Sequence, residues 1–145
     1  MMNRLLALSL CLVMAGCGGA SGPDIASVEG TVTMDGQPLA NASVVFIPEN
    51  GRPGGAWTDS SGHYVLNFSG ERQGAIPGKN TVRISTYREG GQNEDGTMAE
   101  SQKETVPAKY NAQSELTFTV EDGKANVADF AITSEGALPE VSAEN

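Results

Sequence analysis

Short apolar runs separated by turn-forming residues are the feature of this sequence that most constrains its fold. From His63 to Phe68 the residues alternate, so Tyr64, Leu66 and Phe68 share one face of a predicted strand. Asp35-Gly36 supplies residues that tolerate the positive φ of a tight turn. No stretch has helical periodicity. The pattern therefore predicts an all-β protein.

About seven strands can be placed along the chain, and two packed antiparallel sheets would accommodate them. The nearly continuous apolar run from Ala42 to Ile47 predicts a strand that is covered on both faces. Asp122-Gly123 predicts a hairpin turn between the last two strands. The predicted strands are Ser27–Met34, Ala42–Ile47, Ala56–Thr58, His63–Phe68, Lys79–Tyr87, Glu115–Val120 and Ala125–Ile132.

Residues 1–16 have the form of an export signal. Arg4 precedes an apolar stretch that is too short to span a bilayer permanently. Met14-Ala15-Gly16-Cys17 resembles the lipobox of bacterial lipoproteins, in which the cysteine thiol takes a diacylglyceryl group. We therefore expect Cys17 to be the lipidated first residue of the mature protein and to hold it on a membrane of the cell envelope. The alternative is an ordinary secretory signal that is cut elsewhere and leaves Cys17 as a free thiol.

The remaining chain divides by composition. Residues 17–25 are small and read as a lipidated flexible tether, and 26–133 form the predicted domain. Within it, 88–104 is polar, acidic and Gly-rich, and is expected to be disordered or a long surface loop. Residues 134–145 form a polar tail. Cys11 leaves with the signal, so an acylated Cys17 would leave no thiol for a disulfide, a metal site or catalysis.

The charge is strongly negative, at −9 for the whole chain. Loss of Arg4 with the signal would leave eight basic residues against 18 acidic ones, a mature charge near −10. Such a surface favours solubility and disfavours nucleic acid or anionic lipid headgroups as partners.

Several phrases resemble those of carboxypeptidase regulatory-like domains. They are Val28–Val32, Asp35–Ala42, Thr58–Tyr64 and Ile76–Lys79, with Val106–Tyr110 and the strand Leu116–Val120 similar to the end of the short lipoprotein version. The resemblance implies a seven- to eight-stranded antiparallel Greek-key sandwich of the transthyretin-like, or prealbumin-like, type. It does not imply peptidase activity, because in that family the module accompanies a catalytic domain and supplies no chemistry of its own.

The supply of catalytic residues is poor. Zinc and non-haem iron sites need several His or Cys ligands, and the chain has only His63 beside its two cysteines. We therefore predict no catalytic residue, metal site or cofactor. His63 is expected at the surface or rim of the fold. The 5-hydroxyisourate hydrolases of transthyretin fold use several histidines and a C-terminal Tyr-Arg-Gly-Ser, whereas this chain ends in Val141–Asn145.

Three weaker possibilities stay open. Paired carboxylates could serve a glycosidase, although the acids from Glu89 to Glu104 are expected to be a solvated loop. Calcium could bind at Asn93–Gly96 or Asp59–Gly62, where turn formation is the competing explanation. A sugar-binding face could be built from four aromatic residues, most of which are expected in the core. These are Trp57, Tyr64, Tyr87 and Tyr110.

The sequence thus predicts a non-enzymatic, membrane-anchored envelope lipoprotein whose β-sandwich serves as an interaction or structural module. Its partners would be the membrane, through Cys17, and an envelope protein or glycan. The second hypothesis is a carbohydrate- or peptide-binding lipoprotein, with the segment Arg88–Lys103 closing over the ligand. The third, ranked last, is an envelope hydrolase that uses a carboxylate pair.

Overall fold

A computed structural model of the protein describes residues 22–140. Its regular structure there is all β-strand, apart from one 3₁₀ turn at Ala108–Tyr110, so the predicted all-β class is confirmed. The predicted signal, Cys17 and residues 141–145 of the tail lie outside the described residues. Among residues 22–140, no helix is long and apolar enough to cross a membrane.

Between residues 22 and 140, thirteen strand segments replace the seven or eight expected, because several runs are interrupted. The segments are β1 Val28–Met34, β2 Gln37–Pro38, β3 Ser43–Pro48, β4 Gly54–Trp57, β5 His63–Val65, β6 Asn67–Ser69, β7 Arg72–Gln73, β8 Gly78–Ser85, β9 Gly91–Gln92, β10 Met98–Ala99, β11 Thr117–Val120, β12 Asn126–Val127 and β13 Phe130–Ile132. The run from His63 to Ser69 is split at Leu66, where the chain leaves one sheet and enters the other.

The larger sheet has six strands in the order β11-β8-β3-β4-β6-β7, and every neighbouring pair in it is antiparallel. Strand β3 is central: Ser43–Phe46 pair with β4 on one side, and Ser43–Pro48 pair with β8 on the other. Its backbone hydrogen-bonding groups are therefore used within the sheet.

The smaller sheet is built around β1 and is mixed. Strands β2 and β5 pair with β1 in antiparallel fashion, whereas β12 and β13 run parallel to it. The prediction of two purely antiparallel sheets is therefore wrong for these two pairs. The predicted hairpin at Asp122-Gly123 is also wrong, because β11 pairs with β8 and β12 pairs with β1. At this point the chain crosses from one sheet to the other.

The core lies between the two sheets. It contains the residues predicted to face inward from His63–Phe68, namely Tyr64, Leu66 and Phe68. The Ala42–Ile47 run is covered on one face only: Ala42, Val44 and Phe46 are buried, while Ser43, Val45 and Ile47 are half-buried. The prediction of two covered faces is wrong because the alternate side chains lie on the outer surface of the larger sheet.

Close packing joins β1 to Ala128, which lies between β12 and β13. The Tyr64 hydroxyl donates to the Ala128 carbonyl at 2.5 Å. A Cβ atom on Gly30 would lie 1.8 Å from the same carbonyl oxygen. Only glycine allows β1 and the 128 carbonyl to approach this closely. Burial, with a smaller effect from the Asp129 charge, raises the pKa of the Tyr64 hydroxyl.

The segment 88–104, expected to be disordered or a long surface loop, is a largely exposed β-hairpin, here called the arm. Strands β9 and β10 pair in antiparallel fashion, and Arg88 forms a bridge with Gln102 at the base. At the tip, an Asp95 carboxylate oxygen accepts from the backbone N–H of Thr97 at 2.9 Å. Local turn contacts and the ladder at the base thus order a segment that has little apolar surface to bury.

The first part of the tail also lies against the domain. The Ala108 backbone N–H donates to the Ala137 carbonyl at 2.8 Å, and the Ser134 N–H donates to the Asp35 carboxylate at 3.1 Å. As a result, Pro139 forms part of the wall of a cleft on the larger sheet.

Candidate ligand-binding face

The outer surface of the larger sheet carries the most distinctive group of accessible side chains. The register places Trp57 of β4, Ser43 of β3 and Ser85 of β8 in one row across three strands. The next row contains Gly55, Val45 and Arg83. Since alternate residues of a strand share a face, these side chains all lie opposite the core. We call this surface the outer sheet face.

A groove runs along this face. It consists of a cleft of about 310 Å³ that adjoins a second one of about 260 Å³, and the two share Arg83, Ser85 and Asn111. Tyr87, Glu104, Ala112 and Pro139 complete the first cleft, and Ser43, Val45 and Ile47 complete the second. The floor is thus partly aliphatic, and the walls carry polar and aromatic groups.

Two of the four aromatic residues considered for a sugar-binding face are on this surface. Trp57 and Tyr87 are each 51% exposed, so the expectation that most of the four lie in the core is wrong for these two. Tyr64 is buried as expected, and Tyr110 is half-buried with its hydroxyl 3.3 Å from that of Thr133. The face therefore offers an indole and a phenol ring to a ligand.

The groove also contains a guanidinium group without an acidic partner. Arg83 donates from Nε to the Asn111 carbonyl at 3.1 Å, which orients its side chain. The ion pairs found in residues 22–140 are His63 with Glu29 and Lys124 with Glu121, and neither involves Arg83. A second guanidinium, that of Arg88, lies 5.9 Å from the centre of the Trp57 ring, within cation–π range.

Glu104 lies in the wall of the groove and has its carboxylate fully engaged. Its Oε1 accepts from the backbone N–H groups of Thr86 at 3.0 Å and Val106 at 2.8 Å. Its Oε2 accepts from the Ser85 hydroxyl at 2.5 Å and the Asn111 amide at 2.7 Å. The expectation that Glu104 belongs to a solvated acidic loop is therefore wrong: it fastens the base of the arm to β8.

This network sets the charge state of Glu104. Burial alone would raise the pKa of the carboxyl, but the hydrogen bonds from Ser85, Thr86 and Val106 together outweigh it, and the pKa lies below its ordinary value. Glu104 is therefore a carboxylate at neutral pH, with its oxygens committed to protein donors. It lacks the raised pKa that a general acid needs.

The remaining chemistry-bearing residues lie away from the groove. His63 is half-exposed on β5 in the smaller sheet, and its Nε2 is 3.5 Å from Glu29 Oε2. Its rim position agrees with the prediction. Within residues 22–140 no three His, Cys, Asp or Glu side chains converge in a way that could hold a metal ion.

The two segments considered for calcium use their carboxylates in turns. Asp59 accepts from the hydroxyl and backbone N–H of Ser61 and from the backbone N–H of His63. Hydrogen bonds from Ser61, led by the hydroxyl, hold the pKa of Asp59 below its ordinary value. Asp95 makes the same kind of turn with Thr97.

Sequence reasoning did not single out Arg83 or Asn111, and it placed Glu104 in a solvated acidic loop. The alternation within Lys79–Tyr87 does place Arg83, Ser85 and Tyr87 on the face opposite the buried Val82 and Ile84, so part of the site was accessible from the strand pattern. No pattern indicated that the chain around Asn111 returns to this face. The predicted site residue Cys17 lies outside the described residues.

Neither family models nor curated protein sequences give a match to this chain. Among solved structures, it is similar to the crystal structure of a 9R-lipoxygenase from Cyanothece PCC8801, with a TM-score of 0.40 and 15% sequence identity. The likeness covers 79% of this chain and 17% of the lipoxygenase chain. This chain thus spans less than a fifth of the length of that enzyme.

Proposed function

We propose that this protein is a non-enzymatic lipoprotein of the cell envelope whose β-sandwich presents the outer sheet face to a partner. The observation that carries the proposal is that the acidic group of the groove is used in structural contacts, while the aromatic and basic groups of the face are accessible. The carboxylate of Glu104 is used in structural hydrogen bonds, whereas Tyr87 and Arg83 in the groove, and Trp57 on the same face beside it, remain accessible. Accessible aromatic and guanidinium groups are typical of recognition.

Catalysis is disfavoured by the separation of the reactive groups. A nucleophile or hydrolytic water needs a base within hydrogen-bonding reach. His63 lies in the smaller sheet, and the groove lies on the outer surface of the larger one. Glu104 is a weakened base, because protein donors lower its pKa and occupy both of its carboxylate oxygens.

The membrane anchor is proposed from the lipobox phrase that ends at Cys17. The Pro23 carbonyl accepts from the Arg72 guanidinium at 2.6 Å, so the chain is attached to β7 from that point. The six residues 17–22 separate it from the proposed lipid, and fully extended they would reach at most about 20 Å. The domain would therefore work close to the membrane surface, on the exported side.

The finer fold assignment is also a proposal. We infer a transthyretin-like Greek-key sandwich of the carboxypeptidase regulatory-like type. The phrases that carry the resemblance support it because they occupy positions with tight geometric demands. Gly30 packs against the 128 carbonyl, and Gly62, at φ +76, packs under the Val32 carbonyl. Asp59 closes the turn that precedes Tyr64.

Intact-mass spectrometry of the protein purified from its native envelope tests the anchor. We expect a chain that begins at Cys17 and carries diacylglycerol, and a Cys17→Ala variant that lacks the lipid and leaves the membrane fraction. An unlipidated mass in the wild type would refute the anchoring. Turnover of a peptide, ester or glycoside substrate that is lost in His63→Ala would refute the non-enzymatic assignment.

A further inference from the structure

Three features of the outer sheet face indicate its ligand: the pairing of its strands, the charge of its accessible groups and the spacing of its aromatic rings. We propose that this face binds an acidic glycan, with Arg83 contacting a sugar carboxylate and Trp57 and Tyr87 packing against sugar rings. This inference rests on the proposed function of the protein as a binding module. It specifies the ligand and the residues that contact it.

The groove lies over the surface of the larger sheet and presents side chains to a ligand. Peptides are commonly bound by adding a strand to a sheet edge, where unpaired N–H and C=O groups are available. The groove instead lies over the outer surface of β3, which is paired on both sides, and of β8 at Arg83–Ser85, where β8 is paired with β3 and Asn111 lies alongside. A ligand here would therefore meet the rings and charged groups of the face, which suits a saccharide with flat apolar faces and polar edges.

The guanidinium groups of the face are complementary in charge to an acidic ligand. The chain carries 18 acidic and nine basic residues, yet the groove contains Arg83 with no carboxylate within ion-pair distance, and a second guanidinium, Arg88, lies beside Trp57. The Nε–H of Arg83 donates to the Asn111 carbonyl. The two terminal nitrogens, Nη1 and Nη2, are then the groups that can donate a bidentate pair of hydrogen bonds to a carboxylate. Glu104, the acid in the groove wall, turns its oxygens to protein donors.

The aromatic and charged groups are spread along the outer sheet face. Trp57 and Ser85 are separated by two inter-strand distances in the register, about 10 Å. Tyr87 lies two residues beyond Ser85, past the end of β8, and lines the same cleft as Arg83. A chain of sugars can bridge the indole, the guanidinium and the phenol together, whereas one sugar cannot.

The test is isothermal titration of the full mature lipoprotein in detergent with an oligogalacturonate of defined length. Its methyl-esterified form is the matched neutral ligand, and polyglutamate is the acidic peptide. We expect binding of the uronate, and at least roughly tenfold weaker binding of the ester, because a carboxylate–guanidinium contact is lost. Binding should also weaken with added salt.

Variants locate the site. Arg83→Gln and Trp57→Ala should each weaken uronate binding by about tenfold or more, as expected for loss of a charged hydrogen bond or of a stacking ring. Trp57→Phe should retain most of the affinity because it keeps an aromatic face. Arg52→Gln removes the same charge from the exposed β3–β4 loop and should leave the affinity unchanged. Circular dichroism of each variant confirms that it is folded.

The outcomes separate this inference from the function it rests on. Equal binding of the uronate and its ester would overturn the acidic selectivity, and binding of polyglutamate alone would overturn the glycan assignment. Both results would leave a binding module in place. No binding of any ligand at millimolar concentration would overturn the inference. Cleavage of the uronate would instead refute the non-enzymatic function.

Discussion

Replacing Glu104 with glutamine removes the charge that fastens the arm to the larger sheet. A glutamine oxygen in the place of Oε1 can still accept from the backbone N–H groups of Thr86 and Val106. Its amide group would face Ser85 and Asn111. The Ser85 hydroxyl can rotate and accept, but the Asn111 amide is itself a donor and would lose its partner.

The cost follows from these contacts. Hydrogen bonds to a charged group contribute about 1.5–3 kcal/mol each and neutral ones about 1 kcal/mol. One such bond is lost in Glu104→Gln and the others become neutral. Glu104 is partly accessible to solvent, so screening reduces the total, and we expect a loss of about 2–3 kcal/mol. For a domain of this size that corresponds to a fall in Tm of about 8–12 °C.

Urea unfolding followed by circular dichroism at several pH values measures this effect. Because the folded-state pKa of Glu104 is depressed, its contribution is present above the ordinary pKa of 4.5 and is lost as the pH falls through the lower folded value. The difference between wild type and Glu104→Gln should therefore be largest at neutral pH and disappear in acid. Glu94→Gln, at the exposed tip of the arm, is the control. A Glu104→Gln variant as stable as this control at neutral pH would refute the reasoning.

Three further substitutions probe the packing of the smaller sheet and the point where the chain enters it, each by urea unfolding. Tyr64→Phe leaves the Ala128 carbonyl without its donor and should cost about 1–3 kcal/mol; a loss below about 0.5 kcal/mol would mean that water replaces the hydroxyl. Gly30→Ala places a Cβ against that carbonyl and should cost at least about 3 kcal/mol, whereas Gly91→Ala, with open space around it, serves as a neutral control. Asn126→Ala removes a buried amide that binds the backbone where the chain crosses between sheets, at a cost of about 2–3 kcal/mol, and an unchanged midpoint would contradict that role.

The predictions that hold are those whose physics is local. Asp35 and Gly36 have φ values of +52 and +80, as the tight turn between β1 and β2 requires. The alternation of His63–Phe68 places Tyr64, Leu66 and Phe68 in the core. In both cases a few neighbouring residues determine the outcome, so a single sequence is sufficient.

The predictions that fail depend on partners distant in sequence. The run Ala42–Ile47 is apolar on both faces, but Val45 and Ile47 are only half-buried and line the second cleft of the groove. Apolar side chains form much of any protein surface, so hydrophobicity alone did not indicate which face is covered. The expectation that most of the four aromatic residues lie in the core fails at Trp57 for the same reason, since its pairing with Ser43 places it on the outer sheet face.

The segment 88–104 shows how one polar contact can change the interpretation of a low-complexity stretch. Its composition correctly indicates that it has almost no apolar surface to bury. It is nevertheless a hairpin, because Glu104 is hydrogen-bonded to Thr86 and Val106 and Arg88 forms a bridge with Gln102. Hydrogen bonds at the base thus replace the hydrophobic contacts that the composition lacks.

The hydrogen bonds of Glu104 also connect the stability of the fold to the geometry of the proposed site. Glu104 accepts from the Asn111 amide, and the Asn111 carbonyl accepts from Arg83 Nε. Releasing Asn111 would therefore free the guanidinium to sample other rotamers, and a ligand would then bear the entropic cost of ordering it. Glu104→Gln should weaken uronate binding even though its carboxylate oxygens are committed to protein donors. Arg83→Lys, which keeps the charge but loses the forked geometry, should weaken binding without lowering the midpoint of unfolding. If Glu104→Gln and Arg83→Lys had the same uronate affinity and the same midpoint of unfolding, the hydrogen bonds of Glu104 would not hold the groove in shape.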